Sequence, residues 1–163
     1  MYLKDSPMNL ETSLAVAHQE GFVYAVKVVR GAYWERERCS GKVFTSKAET
    51  DSAYDEAVKR LLLAKDTSLI IATHNKQSIL HACNIMDSLG APRNSNAVHF
   101  AQILGMVDNI TSGLASAGFN ANKLVVFGAI HDVLPWLLRR MEENRDAFGA
   151  QQQEMAVLWH AVY

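Results

Sequence analysis

Four short apolar runs, separated by longer amphipathic stretches, constrain this chain more than any other feature. They are "FVYAVKVV" (22–29), "SLIIATHN" (68–75), "NAVHFAQ" (96–102) and "KLVVFG" (123–128). Their apolar character is nearly continuous, which suits parallel strands covered on both faces rather than half-exposed hairpins. Helical patterns lie between them. "SAYDEAVKRLLLAK" gathers Tyr54, Ala57, Val58, Leu61 and Leu62 on one face. Its other face pairs Asp55 with Lys59 and Glu56 with Arg60, and Ser52 with Asp55 has a capping-box pattern. "KQSILHACNIMDSLG" repeats the period through Ile79, Ala82, Cys83 and Met86 and should stop at Gly90. "HDVLPWLLRRMEENR" does so through Leu134, Leu137, Leu138 and Met141, with Pro135 expected in its first turn, where a missing N–H does no harm. A leading helix, capped by Asn9 or Thr12, carries Leu14, Ala15 and Ala17 towards the first run. Strands alternating with helices predict an α/β fold of parallel β/α units joined by right-handed crossovers.

With 163 residues, 49% of them hydrophobic, the chain can bury one sizeable core, and a single domain is expected. The 16 basic and 17 acidic residues leave a formal net charge of −1. That balance argues against a nucleic-acid partner, or an anionic membrane, held by bulk charge. The two cysteines, Cys39 and Cys83, form no Cys-x-x-Cys pair and point to a reducing compartment. No apolar run approaches the ~20 residues of a membrane span. The opening stretch resembles neither a signal peptide nor an Arg-rich transit peptide, and it reads like the interior of a longer protein. Met1 is therefore not expected to be the natural start of the domain.

Familiar signatures are missing. The chain has no G-x-G-x-x-G, no Walker loop and no H-E-x-x-H. "LASAG" (114–118) lacks the first glycine of a nucleophile elbow, so Ser116 reads as ordinary. The histidines show no spacing suited to zinc, and no metal site is expected.

What stands out instead sits at the C-terminal ends of the expected strands, where α/β folds build their sites. Lys27 interrupts an apolar strand. It must either snorkel out or pair with a carboxylate, or else face a bound anion or an electron-rich ring. Arg30, Gly31 and Ala32 form a turn of small residues, open either as a plain turn or as a close approach to a ligand. Thr73, His74 and Asn75 close the second run; Asn75 suits a helix cap, while His74 is either a satisfied buried histidine or a site residue. Arg139 and Arg140 are adjacent on a helix, with Glu143 one turn on. They fit a surface ion pair or a fork for a carboxylate.

Taken in order, "VKVVRGAYWERER", "KAETDSAYDEAVKRLL", "ATHN", "FAQILGM" and "KLVVFGAIHDVLPWLLRRMEENR" resemble the second half of proline dehydrogenase, the flavin-dependent (β/α)8-barrel family that oxidises proline. The likeness runs from about residue 1 to at least 148, and the Lys-x-Val-Arg-Gly-Ala-Tyr form is more like the mitochondrial members. The resemblance implies FAD as cofactor, with Lys27 beside the flavin ring and Arg30, Gly31, Ala32, Thr73 and His74 lining it. It implies that Arg139 and Arg140 bind the substrate carboxylate with Glu143 as acidic partner, and that Tyr33 belongs to the substrate pocket. It further implies hydride transfer from the ring carbon beside nitrogen to the flavin, giving pyrroline-5-carboxylate. Electrons would pass to a membrane quinone, on the matrix side of the mitochondrial inner membrane.

Two departures qualify that picture. Leu124 stands where the family usually places an aromatic hydroxyl over the substrate ring, so hydroxyproline is an alternative substrate to proline. Only about four β/α units are present, whereas a complete barrel takes about 250 residues. The expectation is therefore about half of a (β/α)8 TIM-type barrel, residues 1–163 forming one partial domain. Such a fragment could be inactive alone, or could serve as a non-catalytic half-barrel that pairs with a full-length subunit or itself.

Overall fold

The computed structural model describes residues 1–31 and 33–144. Along the chain run α1 (Ser6–Glu20), β1 (Tyr24–Val28), α2 (Trp34–Glu37) with a 3-10 turn (Arg38–Ser40), and α3 (Lys47–Leu63). They are followed by β2 (Thr67–Ala72), α4 (Lys76–Ser88), β3 (Val98–Ile103), α5 (Asp108–Ser116), β4 (Ala121–Leu124) and α6 (Ile130–Glu143). The strands form one sheet in the order β1-β2-β3-β4, every pairing parallel. The α/β fold of parallel β/α units expected from the alternation is the fold observed.

Among the described residues, the sheet is covered on one face, not two. Val28, Leu69, Ile71 and Phe100 are buried in one cluster with Tyr54, Val58 and Leu61 of α3, Ile79, Ala82 and Met86 of α4, and Leu114 of α5. On the opposite face Ala25, Lys27, Ile70 and Asn122 are exposed, and His99 and Ala101 half-buried. The register aligns Lys27 with Ile70 and Ile70 with His99, so these side chains form a row across that open face. The apolar runs looked continuous because small or aliphatic residues fill most alternate positions. Lys27, His99 and Asn122 are the polar interruptions that mark the open side.

Several boundaries differ from expectation for identifiable reasons. α1 begins at Ser6 rather than after Asn9 or Thr12, with Pro7 in the first turn, where its missing N–H costs nothing. The Thr12 and Ser13 hydroxyls instead donate to the carbonyls of Met8 and Asn9. α3 also starts earlier, and its capping box is Ser46 with Glu49, not Ser52 with Asp55. Ser46 Oγ accepts the Glu49 N–H at 3.2 Å, while the Glu49 carboxylate accepts the N–H groups of Thr45 and Ser46 at 2.9 and 3.1 Å. α4 follows the sequence reading, capped by Asn75 through the N–H groups of Gln77 and Ser78 and followed by Gly90 at φ 63°.

β4 ends at Leu124 because its partner β3 ends opposite it, at Ile103. Residues 125–128 therefore have no ladder to join. α6 begins at Ile130, which places Pro135 inside the helix and not in its first turn. There it forfeits the bond that residue 135 would donate to the His131 carbonyl. α6 contributes no fully buried residue, and Ile130, Leu134, Leu138 and Met141 remain exposed.

One-sided burial predicts a contrast. Phe100→Ala should cost about 3–5 kcal/mol in denaturant unfolding, because the ring is fully enclosed. Ile70→Ala should cost under about 1 kcal/mol, because the side chain starts 38% exposed. Equal losses would show that the open face is covered in solution.

Candidate functional site

A cavity of about 640 Å³ lies at the C-terminal ends of the strands, between the open sheet face and the C-terminal half of α6. Ile70, Ala72 and Ala101 give it a floor of mostly small apolar side chains, with Lys27, His99 and Asn122 set into it. Trp136, Arg140, Glu143 and Asn144 reach in from α6. The side chains singled out by sequence arrive here by different routes.

Lys27 is exposed on the open face and borders the cavity, so an ammonium within an apolar run is not a buried charge. Arg30 borders the cavity too, but its guanidinium turns between α3 and α4. There it meets Asp51 at 2.8 Å, donates to Ser78 Oγ and lies 4.4 Å from the Tyr54 ring centre. Gly31 lines the cavity with backbone, and a Cβ there would meet only Trp34 Cβ at 3.7 Å. Ala32 lies outside the described residues. Thr73 is buried, its hydroxyl accepting the Asn75 N–H at 3.1 Å.

His74 is held on both ring nitrogens. Its Nε2 accepts the Ile103 N–H at 3.0 Å, so the ring proton sits on Nδ1 and is donated to Asn144 Oδ1 at 2.9 Å. The imidazole is thereby fixed as one neutral tautomer. Burial lowers its pKa from the usual 6.5; the bond to Asn144 opposes this and nearby Lys123 adds to it.

The two arginines part company. Arg140 lines the cavity at 14% side-chain exposure, bonded to the Glu143 carboxylate and lying 5.7 and 5.4 Å from the Tyr33 and Trp136 rings. Arg139 is exposed and does not border the cavity, as neighbours about 100° apart on a helix require. Burial raises the Glu143 pKa, and the charge of Arg140 beside it opposes that shift. Tyr33 and Leu124 are each 47% exposed, Leu124 on the cavity rim.

Sequence reasoning missed three polar residues that shape this end of the sheet. Gln102, 1% exposed, donates to the Thr73 carbonyl at 3.3 Å and accepts from the Thr111 hydroxyl at 2.9 Å, tying β2 to α5 through β3. Lys123 reaches the Met106 carbonyl at 2.8 Å and the Asp108 carboxylate, closing the loop after β3. Asn144 joins His74 to the end of α6. An amide in the run "HFAQI" was the available signal for Gln102; for Asn144 nothing in the local pattern distinguished it from any helix-ending asparagine.

The family model described as proline dehydrogenase matches residues 1–153. Among curated proteins, the chain is 34% identical to hydroxyproline dehydrogenase of Xenopus laevis over 96% of its own length and 36% of that protein's. It is 35% identical to hydroxyproline dehydrogenase of Rattus norvegicus (96% of this chain, 37% of that protein). Against mitochondrial proline dehydrogenase 1 of Drosophila melanogaster the identity is 31%, covering 96% of this chain and 26% of that protein. The chain thus spans roughly a third of the length of these relatives. A crystal structure of proline utilization A (PutA) from Bdellovibrio bacteriovorus, inactivated by N-propargylglycine, superposes with a TM-score of 0.81 at 27% identity. The match covers 88% of this chain and 16% of that one.

The His74 contacts predict a pH effect of definite sign. Its folded-state pKa lies below the unfolded value, so its contribution to stability is complete above about pH 6.5 and is lost as pH falls through the folded pKa. Denaturant melts at about pH 7 and pH 5 should show wild type losing more stability than His74→Gln. Nitrogen-15 spectra should place the proton on Nδ1; a proton on Nε2 would contradict the assignment.

Proposed function

The chain belongs to the proline dehydrogenase family, and from that premise we propose that residues 1–163 form the C-terminal half of a (β/α)8 barrel that binds FAD and oxidises L-proline to pyrroline-5-carboxylate. The observation that carries the reading is Arg140, held by Glu143 and near two aromatic rings at the wall of a cavity built on strand ends. A fixed guanidinium in a partly dry site suits a carboxylate, which it can grip with two parallel N–H bonds. Arg139 would be the second arm, approaching from the exposed flank of α6.

The cavity also fits a planar cofactor. About 640 Å³ lies in the range of drug-sized ligands, and Ala72 and Ala101 leave the floor open to a flat ring. Lys27 would lie beside that ring. Gly31 would border it by backbone and Thr73 by its place after β2, and a cofactor-lining role for Ala32 is proposed on the resemblance alone. Both His74 ring nitrogens and the two terminal nitrogens of Arg30 are engaged within the protein, so these groups would contribute shape and ring surface rather than hydrogen bonds. Bound flavin would supply the hydride acceptor, chemistry that side chains lack. The protein's part is to fix the imino acid by its carboxylate, so that the ring C–H beside nitrogen faces the acceptor. Tyr33 and Leu124 would close over the substrate ring.

Hydroxyproline is a second reading with its own support. Leu124 lacks the aromatic hydroxyl usual at its position, and hydroxyproline dehydrogenases of frog and rat match at 34 and 35% identity. Several related proline dehydrogenases are named mitochondrial, which supports a mitochondrial place; the matrix side of the inner membrane and a quinone as final acceptor belong to the same proposal.

Titration of the purified chain with FAD should give saturable quenching of flavin fluorescence, weakened by Lys27→Ala; no saturable quenching would remove the flavin from the reading. Arg140→Ala should weaken binding of L-proline roughly 10–100-fold, the scale of a lost charged hydrogen-bond pair. Leu124→Tyr should shift preference from hydroxyproline towards proline; an unchanged ratio would separate Leu124 from substrate choice.

A further inference from the structure

α6 lies across the strand ends, yet it buries none of its residues fully and leaves its apolar flank exposed. No fully buried α6 side chain therefore holds its last turn in place. A chain of three hydrogen bonds ties that turn to the sheet. The Ile103 N–H at the end of β3 donates to His74 Nε2, His74 Nδ1 donates to Asn144 Oδ1, and Asn144 Nδ2 donates to the Arg140 carbonyl at 2.8 Å. The Asn144 backbone N–H adds a bond to that same carbonyl at 3.2 Å. Each group in this chain has one assignment that satisfies all its neighbours: a neutral histidine protonated on Nδ1, and an asparagine with oxygen towards the ring and nitrogen towards the helix.

We infer that Asn144 is a positioning residue: through His74 it latches the last turn of α6 to the ends of β2 and β3, and so sets where Arg140 presents its guanidinium. The carbonyl that the Asn144 side chain grips is that of Arg140 itself, so a shift of the latch moves that residue's backbone directly. Glu143 then aligns the guanidinium, while the latch aligns the helix beneath it. The groups facing His74 are Asn144 from α6 and Lys123 from β4, with Glu143 and Arg140 bordering the same cavity. The inference rests on the proposed role of Arg140 in carboxylate binding, but the latch itself can be tested without it.

Two measurements test it. Hydrogen exchange on Asn144→Ala should show faster exchange in residues 136–143 and at the Ile103 amide, with β1 and β2 unchanged; unaltered exchange in α6 would overturn the latch. Asn144→Asp keeps an acceptor for His74 and places a carboxylate against it, so His74 should titrate at higher pH than in wild type. An unmoved His74 titration would also count against the contact. For positioning, Asn144→Ala should weaken L-proline binding about tenfold, the scale of one coupled hydrogen bond. The same change in an Arg140→Ala background should have no further effect. Equal losses in both backgrounds would make Asn144 merely structural. If Arg140→Ala alone leaves L-proline binding intact, the carboxylate reading fails, and hydrogen exchange still decides the latch.

Discussion

The packing of Val28, Leu69, Ile71 and Phe100 against Tyr54, Leu61 and Met86 is the contact on which the remaining structure depends. A parallel ladder fixes direction, and a buried row on one face fixes register, because a one-residue slip would turn those four side chains outward. Once that row is set, every alternate residue must emerge on the opposite side. Lys27, Ile70, His99 and Asn122 are there by geometric consequence, not by separate design. The same parity delivers His74 and Ile103 to the cavity and Thr73 and Gln102 to the helix side.

Polar groups take over where the strands stop. Gln102 is almost fully buried and has both ends of its amide matched, which makes it a brace rather than a cost. Lys123 gathers two carbonyls and the Asp108 carboxylate around one ammonium, holding the turn after β3 close to the sheet. Arg30 likewise staples β1 to α3 and α4 through Asp51, Ser78 and the Tyr54 ring. The cavity walls are therefore anchored from behind on three of the four strands.

Much of this was legible in the sequence, and the failures are instructive. Periodicity located every strand, because a buried row leaves a local trace at Val28, Ile71 and Phe100. It misjudged coverage, because alanine and isoleucine on an open face look like core until Lys27 and Asn122 are read by parity. Capping was misassigned at Ser52 because Ser46 and Glu49 satisfy the same rule one turn and a half earlier, and only the backbone geometry separates them. Of the candidate site residues, Arg140 and His74 stand out by type and place, and both border the cavity. Arg30 borders the cavity as well, but no local pattern reveals that Asp51, twenty-one positions away, would hold its guanidinium.

Pro135 has a mechanical consequence. Without its N–H the rung to the His131 carbonyl is missing, so α6 has one less hydrogen bond resisting a bend at that point. Arg140 lies five residues beyond Pro135, a lever arm of about 7.5 Å. A tilt of about 10° there would carry its backbone by about 1 Å, a displacement on the scale that separates productive from unproductive alignment. In such a tilt the proline would be the pivot and the asparagine at the helix end the stop.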